Sequence, residues 1–223
     1  EEAGGKVHMI MGSTDFVNLR YMLSTMPSYS YEHLATEDSQ ARLDERLARM
    51  LEEMWEYNEG FEMETRKQLR RNYERFFTKA HLPGAMEFMD YYAPGTELGD
   101  WFRSMNTAIT INDILFIAGG IHPYYEDVPL DKMNAYHRAE ANKDAMFVPV
   151  MADVNTGPYV WRGLSSVSND VPSEKVNGML ADGGYRMMVV GHSPSKYGES
   201  LVRHRVVHVD CNFLAPRDQA AYN

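Results

Sequence analysis

The residues best suited to chemistry stand where short apolar runs break. His192 lies in Arg186–Tyr197 (RMMVVGHSPSKY), after the run Met187–Val190 and Gly191, in a turn closed by Pro194. Such a run reads as a buried strand, and a histidine at its carboxyl end occupies the place where open α/β sheets keep their sites. An imidazole there can move protons near neutral pH or ligate a metal. Three stretches share the form: Val7–Asp15 (VHMIMGSTD), Ile114–Pro123 (ILFIAGGIHP) and Val206–Asn212 (VVHVDCN). Together they predict four strand ends on one rim, with Ser13, Thr14 and Asp15 at one of them and Ala118-Gly119-Gly120 at another. Tyr159–Gly163 (YVWRG) adds Arg162 beside a bulky aromatic.

Each of these residues also has a structural reading. Ser13, Thr14 or Asp15 can cap the helix that Phe16, Leu19 and Leu23 outline. His192 can hydrogen-bond its own turn, and Arg162 can pair with a nearby acid. His8, His204 and His208 alternate along strands and read as packed or surface side chains. Cys211 reads as a structural thiol.

The elements that must position them follow from periodicity. Lys6–Met11 and Asp113–Ile117 read as buried strands. From Asp38 a long helix carries Leu43, Leu47, Met50, Leu51, Met54 and Trp55 as one stripe, until Gly60 interrupts it. A second helix, from Phe61 to about Lys79, places Leu69, Tyr73, Phe76 and Phe77 on one side and ends near Pro83-Gly84. Shorter helices are expected at Met86–Tyr92, Leu98–Asn106, Val128–Arg138 and Ser173–Ala181. A polar link is expected between Asn106 and Asp113, an edge strand at Phe147–Val150, and further strands at Met187–Val190 and Arg205–Val209.

Bulk properties narrow the function. The chain has 223 residues and a net charge of -10, which disfavours a nucleic-acid backbone or an anionic membrane as main partner. One cysteine excludes an internal disulfide. No apolar run approaches the roughly 20 residues of a membrane span. The chain starts at Glu1 with strand-like sequence almost at once, as expected of a processed, trimmed or split precursor. The Met-rich, fragmentary character suits an intracellular protein, with a mitochondrion or other organelle as a candidate compartment.

The series GGKVHMIMGSTDFVNLR, LGDWFRSMNTAITINDILFIAGGIHP, GPYVWRG, VVGHSPS and VVHVDCN resembles the carboxyl-terminal two thirds of a calcineurin-like metallophosphoesterase, nearest the bacterial-type, Shewanella-like protein phosphatases. The resemblance implies an α/β (α+β) fold: part of a β-sandwich flanked by helices, in one domain over 1–223, with a helical hairpin inserted at about 38–80. It also implies a two-metal phosphoester hydrolase. Paired cations about 3.5–4 Å apart hold the phosphate and the attacking water.

The residues depart from that pattern. Where the family carries Gly-Asn-His-Glu, with Asn a metal ligand and His the general acid, this chain has Gly12-Ser13-Thr14-Asp15. Where the family carries a ligand His before two glycines, this chain has Ala118, and His122 lies four residues further on. Gly191-His192 keeps one ligand position, and Arg162 keeps a position that clamps phosphate in relatives. The family's first two motifs have no counterpart. The resemblance with these departures implies a catalytically inactive structural subunit that needs no cofactor. Its expected partners are other subunits of a large assembly, a separately encoded amino-terminal half among them. The alternatives are an active phosphatase, with its first motifs upstream and two Mn, Fe or Zn ions, and a domain that binds a phosphorylated ligand through Arg162 and the Gly119-Gly120 loop without hydrolysing it.

Overall fold

The computed structural model describes residues 4–21, 23, 29–142, 150–153, 155–164, 171–193, 199–201 and 205–210. Phe147–Pro149, Pro194, His204, Cys211 and Asn212 lie outside them. The elements in order are α1 (Ser13–Leu19), α2 (Tyr29–Glu32), α3 (Ser39–Tyr57), α4 (Met63–Ala80), α5 (Ala85–Tyr91), α6 (Glu97–Ser104), β1 (Ala108–Ile111), β2 (Ile114–Ile117), a 3-10 turn (Pro123–Tyr125), α7 (Leu130–Ala141), α8 (Ser173–Asp182), β3 (Met187–Val190), β4 (Glu199–Leu201) and β5 (Val206–His208). The chain divides into two compact units, Val17–Phe102 and the remainder. The architecture is mixed α/β.

The larger unit is built on one five-stranded sheet of order β1-β2-β3-β5-β4. β1 and β2 form an antiparallel hairpin in the register Ala108↔Ile117. Its turn has Asn112 at φ 51°, a left-handed conformation that asparagine tolerates better than most residues. β2, β3 and β5 run parallel, with Ile117 opposite Val190 and Val190 opposite His208. Leu115, Ile117, Met188, Val190, Val206 and His208 are all buried, in alternation along these strands. That alternation puts them on one face of the sheet. β4 closes the far edge antiparallel to β5. From α7, the Asn134 side chain accepts from the backbone N–H groups of Thr107 and Ala108 and donates to the Ala108 carbonyl, which ties that helix to β1.

Three expectations change. Lys6–Met11 is not a buried strand. Gly4 to Met9 are exposed, Val7 by 69% and Met9 by 51%, and only Ile10 forms a bridge, parallel to Asn106. An apolar run becomes a buried strand only where a neighbour pairs along its length, and among the described residues Asn106 alone does so. The link before Asp113 is not irregular: Ala108-Ile109-Thr110-Ile111 is β1. The implied sandwich is, among the described residues, a single mixed sheet.

The other unit is helical. Leu23, Tyr31, Leu43, Phe77, Ala85, Phe88 and Met89 form its core. The leucine, phenylalanine and methionine side chains among them are worth about 1.5–3 kcal/mol each when withdrawn from water. Phe77 stacks on His81 at 4.1 Å, and the Tyr31 hydroxyl donates to the Ala80 carbonyl, closing the end of α4. The expected stripe on α4 splits. Tyr73 and Phe77 pack inward, whereas Leu69 and Phe76 are 36% and 58% exposed.

Candidate functional site: the rim around His192

Parallel pairing of β2, β3 and β5 brings their carboxyl ends to one edge, so Ala118, Gly191 and Val209 follow each other across the rim. The Gly191 N–H donates to the Ala118 carbonyl at 2.7 Å, and the Val209 N–H donates to Val190 at 2.9 Å. Beyond Gly191 the chain reverses within three residues, the Ser193 N–H donating to the Gly191 carbonyl at 2.7 Å. His192 is the central residue, at φ 60°. A left-handed backbone on a residue other than glycine costs on the order of 1–3 kcal/mol, and such strain concentrates at ligand and active sites.

The turn brings the His192 ring to the start of α1. Its Nδ1 lies 3.1 Å from the Ser13 hydroxyl. Ser13 is therefore not the expected cap. Asp15 takes that part from inside the first turn, its carboxylate accepting the Gly12 N–H at 3.2 Å. Thr14 is exposed. His192 binds a proton less readily than usual, because burial disfavours the imidazolium and the Arg162 cation adds to the penalty, against a smaller opposing pull from Asp210. Ser13, His192, Arg162 and Asp210 thus form one electrostatic neighbourhood.

Other expected residues lie elsewhere. The N–H groups of Gly119 and Gly120 both donate to the Pro158 carbonyl, at 2.8 and 3.3 Å, so neither amide faces an open loop. A Cβ on Gly119 would stand 2.9 Å from that carbonyl oxygen and 3.0 Å from the Trp161 backbone, which is why glycine is needed there. His122 packs edge-on against Trp161, and its Nδ1 accepts the Tyr124 N–H. His208 is buried, with Nε2 at 2.8 Å from the Leu164 carbonyl, and His8 is exposed.

One buried cluster escaped the sequence reading. The Tyr159 hydroxyl sits 2.5 Å from His137 Nδ1 and 3.1 Å from Thr107 Oγ1, and all three residues are fully buried. Burial pushes the Tyr159 phenol far above its ordinary value, so it stays neutral. Glu140, one turn on from His137, accepts the N–H groups of Val150 and Met151. The spacing Met133–His137–Glu140 is a helical stripe and could have marked the cluster. It anchors the segment that carries Arg162.

Among the described residues, the donors around His192 do not make up a two-metal centre. Ala118 offers no ligand atom, and the Ser13 hydroxyl at Nδ1 of His192 leaves only Nε2 of that ring as a donor. Among the described residues, no three His, Cys, Asp or Glu side chains are grouped as a metal would need.

No family model matches the chain, and no curated protein matches it. Solved structures do resemble it in fold. A cold-active protein tyrosine phosphatase solved at 1.1 Å shares 22% identity at a TM-score of 0.61, over 95% of this chain and 50% of the other. The cold-active protein-tyrosine phosphatase of a psychrophilic Shewanella species gives 22% identity and a TM-score of 0.62, over 95% and 51%. The chain therefore spans about half the length of these relatives in structure, and its fold is phosphatase-like.

Proposed function

We propose that the chain is a catalytically inactive member of the calcineurin-like metallophosphoesterases, in the Shewanella-like branch, and serves as a structural subunit of a larger protein assembly. The observation that carries this is the Ser13–His192 pair at 3.1 Å, beside Ala118. A hydroxyl engages the histidine where the family's motif supplies an amide ligand and an acid. Thr14, at the general-acid position, cannot protonate a leaving alkoxide near neutral pH. Loss of one ligand typically weakens a metal site 10-fold to 100-fold, and two ligand positions are altered here. Exposed apolar side chains support a role in assembly: Val7, Tyr57, Phe61 and Phe76 are 55–90% exposed. No helix among the described residues is long and apolar enough to cross a membrane.

The test is elemental analysis of the purified assembly for Mn, Fe and Zn, together with hydrolysis of an aryl phosphate by the purified chain in added Mn²⁺. The expected results are well under one metal per chain and no turnover. Two metals per chain, lost in His192→Ala, or turnover abolished by that substitution, would establish the active phosphatase instead.

One observation favours a second reading, a phosphate-binding domain without hydrolysis. Arg162 stands close enough to His192 to lower its proton affinity, so an anion on this rim would meet a cation beside the Ser13 hydroxyl. Saturable phosphate binding, lost in Arg162→Ala, would favour it.

A further inference from the structure

The helical unit carries an open groove of about 940 Å³ that has no part in the rim described above. It lies beside the turn after α2, the end of α5 and the first turns of α6. Leu34, Tyr91, Leu98 and Trp101 provide apolar walls. Tyr91 and Trp101 are 55% and 45% exposed, so two large aromatic side chains face water along one groove. Glu87, Asp90 and Glu97 line the same space. Arg42 pairs with Glu87 at 3.0 Å and with Asp90 at 2.7 Å. Two of the three carboxylates therefore share one guanidinium, and among the described residues Glu97 has no ion pair. Burial pushes the Glu87 carboxyl up. Hydrogen bonds from its own backbone, Ser39 and Arg42 outweigh that and hold it below the ordinary carboxylate value, so it stays ionised.

We propose that this groove docks a basic amphipathic helix of a partner protein. Its volume lies in the upper range of binding clefts, and it is open rather than enclosed, as a helix requires. Apolar anchors one turn apart would seat between Leu34, Leu98 and Trp101, the helix-in-groove mode of recognition. Lysine or arginine on the flank would face Asp90 and Glu97, and a guanidinium would also be attracted to the Trp101 face. An acidic helix or a nucleic-acid backbone would meet like charge. The competing occupant is a second copy of this chain, because α4 carries Lys67, Arg71, Arg75 and Lys79 at four-residue steps.

The experiment uses the full chain and a labelled helical peptide with leucine on one face and lysine on the other, followed by fluorescence anisotropy. A peptide with glutamate in place of lysine is the control. Trp101→Ser should weaken binding about tenfold, as for an aromatic anchor, and Glu97→Lys about fivefold. Glu52→Lys with Glu56→Lys, on α3 away from the groove, should leave it unchanged. Circular dichroism should show that all variants keep their helix content. The proposal is overturned if the lysine peptide does not bind, if the glutamate peptide binds as tightly, or if the α3 variant loses as much affinity as Trp101→Ser. It also fails if sedimentation shows self-association that Trp101→Ser abolishes, which would make the occupant a second copy.

Discussion

Tyr159→Phe tests whether the buried cluster under the rim holds the sheet unit together. The substitution keeps a ring packed 5.1 Å from Phe16 and removes one oxygen. That oxygen bridges His137 Nδ1 at 2.5 Å and Thr107 Oγ1 at 3.1 Å, with no access to water. One lost hydrogen bond costs about 1 kcal/mol, and a buried imidazole nitrogen left without its partner costs about 1–3 kcal/mol more. The Thr107 hydroxyl can rotate and recover part of its share, so the total should be about 2–3 kcal/mol. For a chain of this size that is a fall of about 5–10 °C in Tm. Trp161, buried two residues from Tyr159, reports the transition by fluorescence once Trp55 and Trp101 are replaced by Phe. The urea midpoint should drop with an unchanged slope. A loss below about 0.5 kcal/mol, the range of an inert surface change, would refute the bridging role of the hydroxyl.

Two further outcomes follow from the same unit. His192 resists protonation in the folded state, chiefly through burial and then through Arg162. Its contribution to stability is complete above the unfolded histidine value of about 6.5 and is lost as pH falls from there toward the lower folded value. Urea midpoints taken across that window should decline toward acid and decline less in His192→Asn, which keeps a residue tolerant of the left-handed backbone; an identical slope in the variant would count against the burial of the ring. Gly119→Ala should destabilise the sheet unit by about 2–3 kcal/mol, because its methyl meets backbone atoms of Pro158 and Trp161 that cannot swing aside. A melting temperature within a degree of wild type would mean that the 157–164 segment does not pack as described.

Much of the rim could be read from the sequence because its parts are local. An apolar run of four residues followed by Gly191 and a histidine reads as a strand and a turn, and here it is one. The same signal misled at Lys6–Met11, where the composition suits a strand but Asn106 alone supplies a partner. β4, with Glu199 and Ser200, is a strand because β5 pairs with it, and nothing in its composition marks it. The Ser13–His192 contact joins residues 179 positions apart, beyond the reach of any local pattern. On α4, Leu69 and Phe77 look alike in the sequence, and the crossing of α3 decides which one is buried.

The rim holds its shape through backbone contacts. The geometry depends on parallel strand pairing, on the reversal at His192 and on the anchored 157–164 segment, none of which needs a metal. A hydrogen bond to Ser13 uses Nδ1 of His192 either as donor or as acceptor, and in both cases that nitrogen is occupied. Nε2, the other ring nitrogen, offers a lone pair only in the tautomer in which Nδ1–H donates to Ser13. A ligand restored at Ala118 would therefore find a usable nitrogen on His192 only in that tautomer. Arg162 and Asp210 act on the same ring with opposite signs. The Ser13 hydroxyl thus decides, through the tautomer, what His192 can offer a ligand on this rim.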